Sequence, residues 1–158
     1  MKILLHAVGE KMPGWVNTGY QEYAKRLSLP ECRLELREVA PGKRGKNAAA
    51  GKIVEEEGER LLASVPRGAH LVALDVKGKP WSTEQLATVM QGWMQQGQDV
   101  SLLVGGPEGL SDACRQQAAQ SWSLSPLTFP HPLVRVIVAE QLYRAWSVIR
   151  NHPYHRAG

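Results

Sequence analysis

At 158 residues the chain has the usual size of one domain, and a fold of that length buries roughly 70% of its unfolded surface without disulfide or metal staples. Its 43% hydrophobic and 22% charged residues exclude a disordered chain, and no stretch reaches the ~18 uncharged apolar residues of a membrane span, so a soluble, cytoplasmic protein is expected. A net charge of +4 favours a polyanionic partner modestly, and Cys32 and Cys114 form no Cys-x-x-Cys that would imply a disulfide framework or a metal site.

The N-terminus has one lysine and a short apolar run with no cleavage site, which predicts a first strand over residues 3–8 instead of a signal peptide. A helix over 16–27 and a strand over 34–39 follow. The loop at Pro41 to Asn47 then carries Lys43, Arg44 and Lys46, three cations suited to RNA phosphates or simply to solvent. Ile53, Val54, Leu61 and Leu62 gather on one face of a helix predicted over 48–63, which Gly58 interrupts. A strand over 70–74 ends at Leu74 and Asp75. Ser82-x-x-Gln85 then matches a capping box and opens a helix over 83–95. The strand over 100–104 leads into Gly105-Gly106-Pro107-Glu108-Gly109, followed by a helix over 112–120 and a short strand near 127–129.

The strands at Val72 and Leu102 are almost continuously apolar, as parallel strands covered on both faces are. Alternation of strand and helix without a linker or repeat predicts a single α/β domain, a mostly parallel sheet flanked by helices. The final helix, predicted over 133–150, is apolar nearly all round, so it must be buried on more than one side. Either it is fully internal or it forms a homodimer interface.

Three strand ends offer a ligand site, because ligands of open α/β sheets gather beyond the carboxyl ends of the strands. They are Leu74-Asp75, the glycine turn at Gly105, and the loop Leu124-Ser125-Pro126-Leu127-Thr128-Phe129-Pro130. The glycine turn lacks the spacing of a dinucleotide fingerprint and the lysine of a phosphate loop, and by itself it serves a turn as readily as a ligand. In the loop, backbone groups find partners either in their own serines and threonine or in a purine or amino-acid ligand. At the chain's end, Tyr154, His155 and Arg156 suit a catalytic edge or a frayed terminus, and His152 with His155 is too sparse for a metal shell.

Gly105-Gly106-Pro107-Glu108-Gly109-Leu110, Leu127-Thr128-Phe129-Pro130-His131, Arg135-Val136, Glu140-Gln141-Leu142-Tyr143-Arg144-Ala145 and Tyr154-His155 together resemble the RlmH family of SPOUT-class ribosomal RNA methyltransferases. The similarity runs nearly end to end and includes Ala7-Val8-Gly9, residues 42–47 and residues 74–79. The resemblance implies an α/β fold with a C-terminal trefoil knot. It also implies S-adenosylmethionine, without any metal, at Leu74, Gly105, Leu124, Ser125, Pro126, Leu127, Thr128 and Phe129. The implied reaction methylates N3 of a pseudouridine in the intersubunit stem-loop of 23S ribosomal RNA, on the assembled ribosome, by a homodimer. Within that frame Tyr154 and His155 are the catalytic candidates, reaching into the partner's pocket, while Lys43, Arg44, Lys46 and Arg156 would contact RNA. Arg135 or Arg144 would alternatively stabilise charge developing on the uracil ring, or pair with Glu140. Two rival readings are a catalytically silent ribosome-binding protein and a nucleotide-binding enzyme using the glycine turn.

Overall fold

The computed structural model describes residues 1–45 and 49–157. Alternation along β1 (Lys2–Val8) sends Ile3, Leu5 and Ala7 into one core and His6 and Val8 to the opposite face. A strand apolar on both sides must be central and covered twice. The sheet accordingly runs β2-β1-β4-β3-β5, where β2 is Arg33–Val39, β3 His70–Pro80, β4 Val100–Val104 and β5 Gln120–Ser123. Every pairing is parallel.

Helices α1 (Gly14–Ala24), α3 (Thr83–Gln96) and α5 (His131–Ile149) cover one face, packing Tyr20, Met90, Leu142 and Trp146 into the larger core. Helices α2 (Ala50–Ala63) and α4 (Asp112–Gln117) cover the other with Leu61 and Cys114. The capping box holds: Ser82 Oγ accepts from the Gln85 amide at 3.1 Å, and Gln85 Oε1 accepts from the Ser82 amide at 2.8 Å. Gly58 is no defect in α2, since a Cβ there would clash with Ser111 Oγ, the side chain that caps α4. The glycine lets the two helices touch. Both cysteines are buried free thiols.

The elements differ from the sequence reading by a residue or two at several ends, and more substantially in four places. The strand expected near 127–129 is absent; the fifth strand is Gln120–Ser123, and residues 124–130 are loop. Pro126 and Pro130 have no amide to donate to a ladder, whereas Ser121 and Trp122 pair with Ala73 and Leu74 of β3. For the same reason α4 stops at Gln117, three residues early, because Gln120 is already in the sheet. The helix expected to end at Leu27 closes with a 3₁₀ turn, Lys25–Leu27. β3 runs beyond Leu74 to Pro80, though not regularly. The expected start of α2 at Ala48 lies outside the described residues.

Helix α5 is internal along only part of its circumference. Val138, Ala139, Leu142, Ala145 and Trp146 are buried against the sheet, α1 and α3, yet Leu133, Val136 and Ile137 remain only half-buried. One face is internal and another is incompletely covered.

Candidate active site

The site begins with an irregularity in β3. Leu74 and Lys79 both align with Trp122, so residues 75–78 bulge out of the ladder. Gly78 permits this, because a Cβ there would lie 2.8 Å from the Ser121 backbone. The Asp75 carboxylate fixes the bulge by accepting from the Lys77 amide at 3.0 Å, and its second oxygen takes Arg115 Nε at 2.7 Å. Burial alone would raise the Asp75 pKa, but the Lys77 amide and the Arg115 guanidinium hold it below the usual carboxylate value.

Beside the bulge, β4 ends in the glycine turn. Gly109 has φ +83° and donates its amide to the Gly106 carbonyl at 2.9 Å, and a Cβ on Gly105 would clash with the Gly109 backbone. The third wall is the loop after β5. Ser125 Oγ accepts from the Leu127 amide at 3.0 Å and Ser123 Oγ donates to the Ser125 carbonyl at 3.1 Å. Among the described residues, 124–129 make no backbone-to-backbone hydrogen bond. Serine self-satisfaction is therefore partial, and the loop retains backbone groups for a ligand.

These three walls enclose a cleft of about 720 Å³ with a mostly apolar lining, including Leu74, Leu110, Phe129 and Val134, and with Asp75, Lys77, Arg115 and His131 among its polar residues. That volume suits a nucleoside-sized ligand. His131, at the start of α5, is half-buried; desolvation and then the nearby Arg135 charge lower its pKa, so its ring is neutral at neutral pH. Among the described residues no group of three or more His, Cys, Asp or Glu side chains is placed to hold a metal ion. Nor is any helix there long and apolar enough to cross a membrane.

Of the residues singled out from sequence, Leu74, Gly105, Leu124, Ser125, Leu127, Thr128 and Phe129 line this one cleft. Pro126 is exposed and does not. Tyr154 and His155 lie elsewhere in this chain, in a 3₁₀ turn (Pro153–Ala157) folded back on α5. Tyr154 donates its hydroxyl to Glu140 Oε1 at 3.1 Å, and His155 Nδ1 sits 3.2 Å from Ser147 Oγ. Burial, then Glu140, pushes the Tyr154 pKa up to about 12.

Arg144 does pair with Glu140, at 2.6 Å. Arg135 does not: it is buried, bonding Glu38 at 2.6 Å and the Gly9 carbonyl at 2.8 Å, and it is spent on structure. Lys43 and Arg156 are exposed, Lys46 lies outside the described residues, and Arg44 is engaged with two carboxylates. Sequence reasoning missed Arg115 and the buried Glu57. The second had a legible signal, a carboxylate at helical spacing between Ile53 and Leu61 on the apolar face of α2.

A parallel α/β sheet whose ligand cleft is built from a bulge in one strand, the end of the adjacent strand and the loop leading into the last helix is the arrangement of a known class. The family described as Predicted SPOUT methyltransferase matches residues 1–155, and the chain belongs to it. Membership makes the chain a methyltransferase by class. Among particular relatives, it is 64% identical over 156 residues to the Ribosomal RNA large subunit methyltransferase H of Methylococcus capsulatus, a match covering 99% of this chain and 100% of that protein. It is 60% identical to the protein of the same name from Thioalkalivibrio sulfidiphilus, covering 99% of each. The fold is shared with a probable methyltransferase from Bordetella pertussis Tohama I, with TM-score 0.54 and 13% identity over 90% of this chain and 95% of that one. It is also shared with a probable methylase family protein from Haemophilus influenzae Rd KW20, with TM-score 0.55 and 13% identity over 96% of this chain and 67% of that one.

Proposed function

We propose that this chain, as one SPOUT domain over residues 1–158, is a cytoplasmic S-adenosylmethionine-dependent methyltransferase of 23S ribosomal RNA. Its target on this reading is N3 of a pseudouridine in the intersubunit stem-loop, on the assembled ribosome. The observation that carries the reading is the convergence of Leu74, Gly105 and residues 124–129 on one cleft, in a chain 64% identical to a large-subunit rRNA methyltransferase.

The cleft fits the donor. Leu110, Phe129 and Val134 offer apolar cover for a purine, and the unbonded backbone of 124–129 offers hydrogen bonds to its edge. When bound by Leu74, Gly105 and residues 124–129, S-adenosylmethionine would supply an activated methyl for in-line transfer to N3, its sulfur leaving as the neutral thioether and the N3 proton passing to a base. The protein's part is to hold the base in line, exclude water and accept that proton. The trefoil knot belongs to this proposal, supported by family membership and by the loop at 124–130 sharing its cleft with the bulge of β3 and the end of β4.

Because Tyr154 and His155 lie outside their own chain's cleft, they serve catalysis only in a homodimer that carries the tail to the partner's cleft. The half-buried Leu133, Val136 and Ile137 face of α5 supports such a dimer. With its one hydroxyl proton given to Glu140 and its pKa near 12, Tyr154 stays protonated and orients the base by accepting a hydrogen bond on its oxygen, leaving proton acceptance to His155. Exposed Lys43 and Arg156, with Lys46, add salt-sensitive phosphate contacts. Incubating the protein with tritiated donor and unmodified ribosomes, then mapping the product by mass spectrometry, is the test. A methyl on N3 of one pseudouridine is expected; label-free ribosomes, or a methyl on another atom, would overturn the reading.

A further inference from the structure

Arg44 belongs to the basic loop by sequence but, by contact, to the glycine turn that borders the donor cleft. Its Nη1 lies 2.6 Å from Glu108 Oε1, and its Nη2 lies 3.4 Å from Glu57 Oε2. Glu57 is only 1% exposed and accepts the Gly42 amide on that same oxygen at 3.0 Å. Its other oxygen backs directly on the glycine turn, since a Cβ added to Gly106 would stand 3.0 Å from it. Gly105, Gly106, Pro107 and Gly109 line the cleft, whereas the Glu108 side chain does not. The guanidinium thus ties the loop at residues 42–45 to the turn that floors the cleft, through one buried and one partly exposed carboxylate.

A guanidinium fork satisfied by two carboxylates is not free for a phosphate, and a phosphate that captures it must take it from a carboxylate. The bond to Glu108 is the one that yields, because Glu108 is partly in water while Glu57 is buried and keeps its partner. We propose that Arg44 is a positioning residue that couples the two ligands of the enzyme with negative sign. With Arg44 on Glu108, the glycine turn is held in its donor-binding shape; with Arg44 drawn to an RNA phosphate, the turn is released and the donor or its spent form is held less tightly. By linkage the donor weakens that one RNA contact to the same degree.

This inference rests on the proposed function above, and Glu108→Gln tests it, because Glu108 does not line the donor cleft. Dissociation constants are measured for S-adenosylmethionine by calorimetry and for unmodified ribosomes by filter binding across a salt series. E108Q is expected to weaken donor binding and tighten RNA binding by about fivefold each. The salt slope for RNA should also steepen by about one phosphate contact. In an Arg44→Gln background the E108Q gain in RNA affinity should vanish. A gain that persists there, or an unchanged donor affinity in E108Q, overturns the proposal by reducing Glu108 to a general surface charge. If R44Q does not fold, the opposite shifts in E108Q alone decide, and shifts of the same sign overturn it. Wild-type protein that binds no donor would fail the proposed function as well, whereas wild type that binds both with same-sign shifts in E108Q fails this inference only.

Discussion

His6 is an imidazole with no access to water, held between Ser64 Oγ at 2.8 Å and Ser101 Oγ at 2.9 Å. Two hydroxyls satisfy a neutral ring but cannot offset a charge, so desolvation, aided by Arg37, lowers its pKa to about 4. The unfolded chain binds this proton near pH 6.5 and the folded one does not, so the contribution is complete above pH 6.5 and lost as pH falls toward 4. Chemical denaturation at pH 7 and pH 4 should show about 3 kcal/mol of stability lost from this residue, a loss absent when His6 is replaced by glutamine. A second residue-scale expectation concerns Gly105, whose added Cβ would meet the Gly109 backbone. Gly105→Ala should weaken donor binding about tenfold or more, since ~1.4 kcal/mol of distortion in the turn is enough. Calorimetry reads the loss at a temperature where circular dichroism shows the variant still folded.

At the scale of elements, α2 and α4 meet through Gly58 and Ser111 with no space between them. In an isolated helix Gly→Ala is stabilising by about 0.5–1 kcal/mol. Here overpacking opposes it at about 1–3 kcal/mol, so Gly58→Ala should lower the thermal midpoint. The variant with Ser111→Gly added should recover most of it. The C-terminal turn poses a different question, because it rests on α5 through Tyr154 to Glu140 and through the Tyr143 ring 4.8 Å away. It borders none of the cleft within its own chain. Deleting residues 151–158 should abolish methyl transfer while leaving donor affinity within about twofold, since no donor contact is lost. Full activity in the truncated protein would remove Tyr154 and His155 from the chemistry.

For the whole molecule, the incompletely covered face of α5 and the separation of tail from cleft lead to one expectation. Sedimentation should find a dimer that Ile137→Glu dissociates, the charge being costly in an apolar contact and tolerable in water. At donor concentrations well below the Gly105→Ala dissociation constant, a mixed dimer of one Gly105→Ala subunit and one subunit lacking residues 151–158 should show more activity than either homodimer. The mutant cleft and the missing tail then fall at the same composite site, and an intact cleft meets an intact tail at the other. Failure of every mixture to recover activity would place each tail with its own cleft.

Much of this was legible along the chain. Apolar continuity at Val72 and Leu102 indicated parallel strands buried twice, the Ser82 to Gln85 spacing indicated a helix start, and the strand ends at Leu74, Gly105 and Leu124 marked the cleft. These are local properties, fixed by periodicity, by hydrogen-bonding groups two or three residues apart, and by the rule that sheets bind ligands at their carboxyl ends. Only the tertiary structure decided that Gln120 to Ser123 is the fifth strand, because its partner is Val72 to Leu74 and pairing energy resides between segments. It also decided which cations are free. Lys43, Arg44, Arg135 and Arg144 look alike in sequence, but Arg135 is committed to Glu38, Arg144 to Glu140, and Arg44 to Glu57 and Glu108. An arginine's role depends on which carboxylates the fold brings within reach, and Glu38 is 97 residues from Arg135 along the chain.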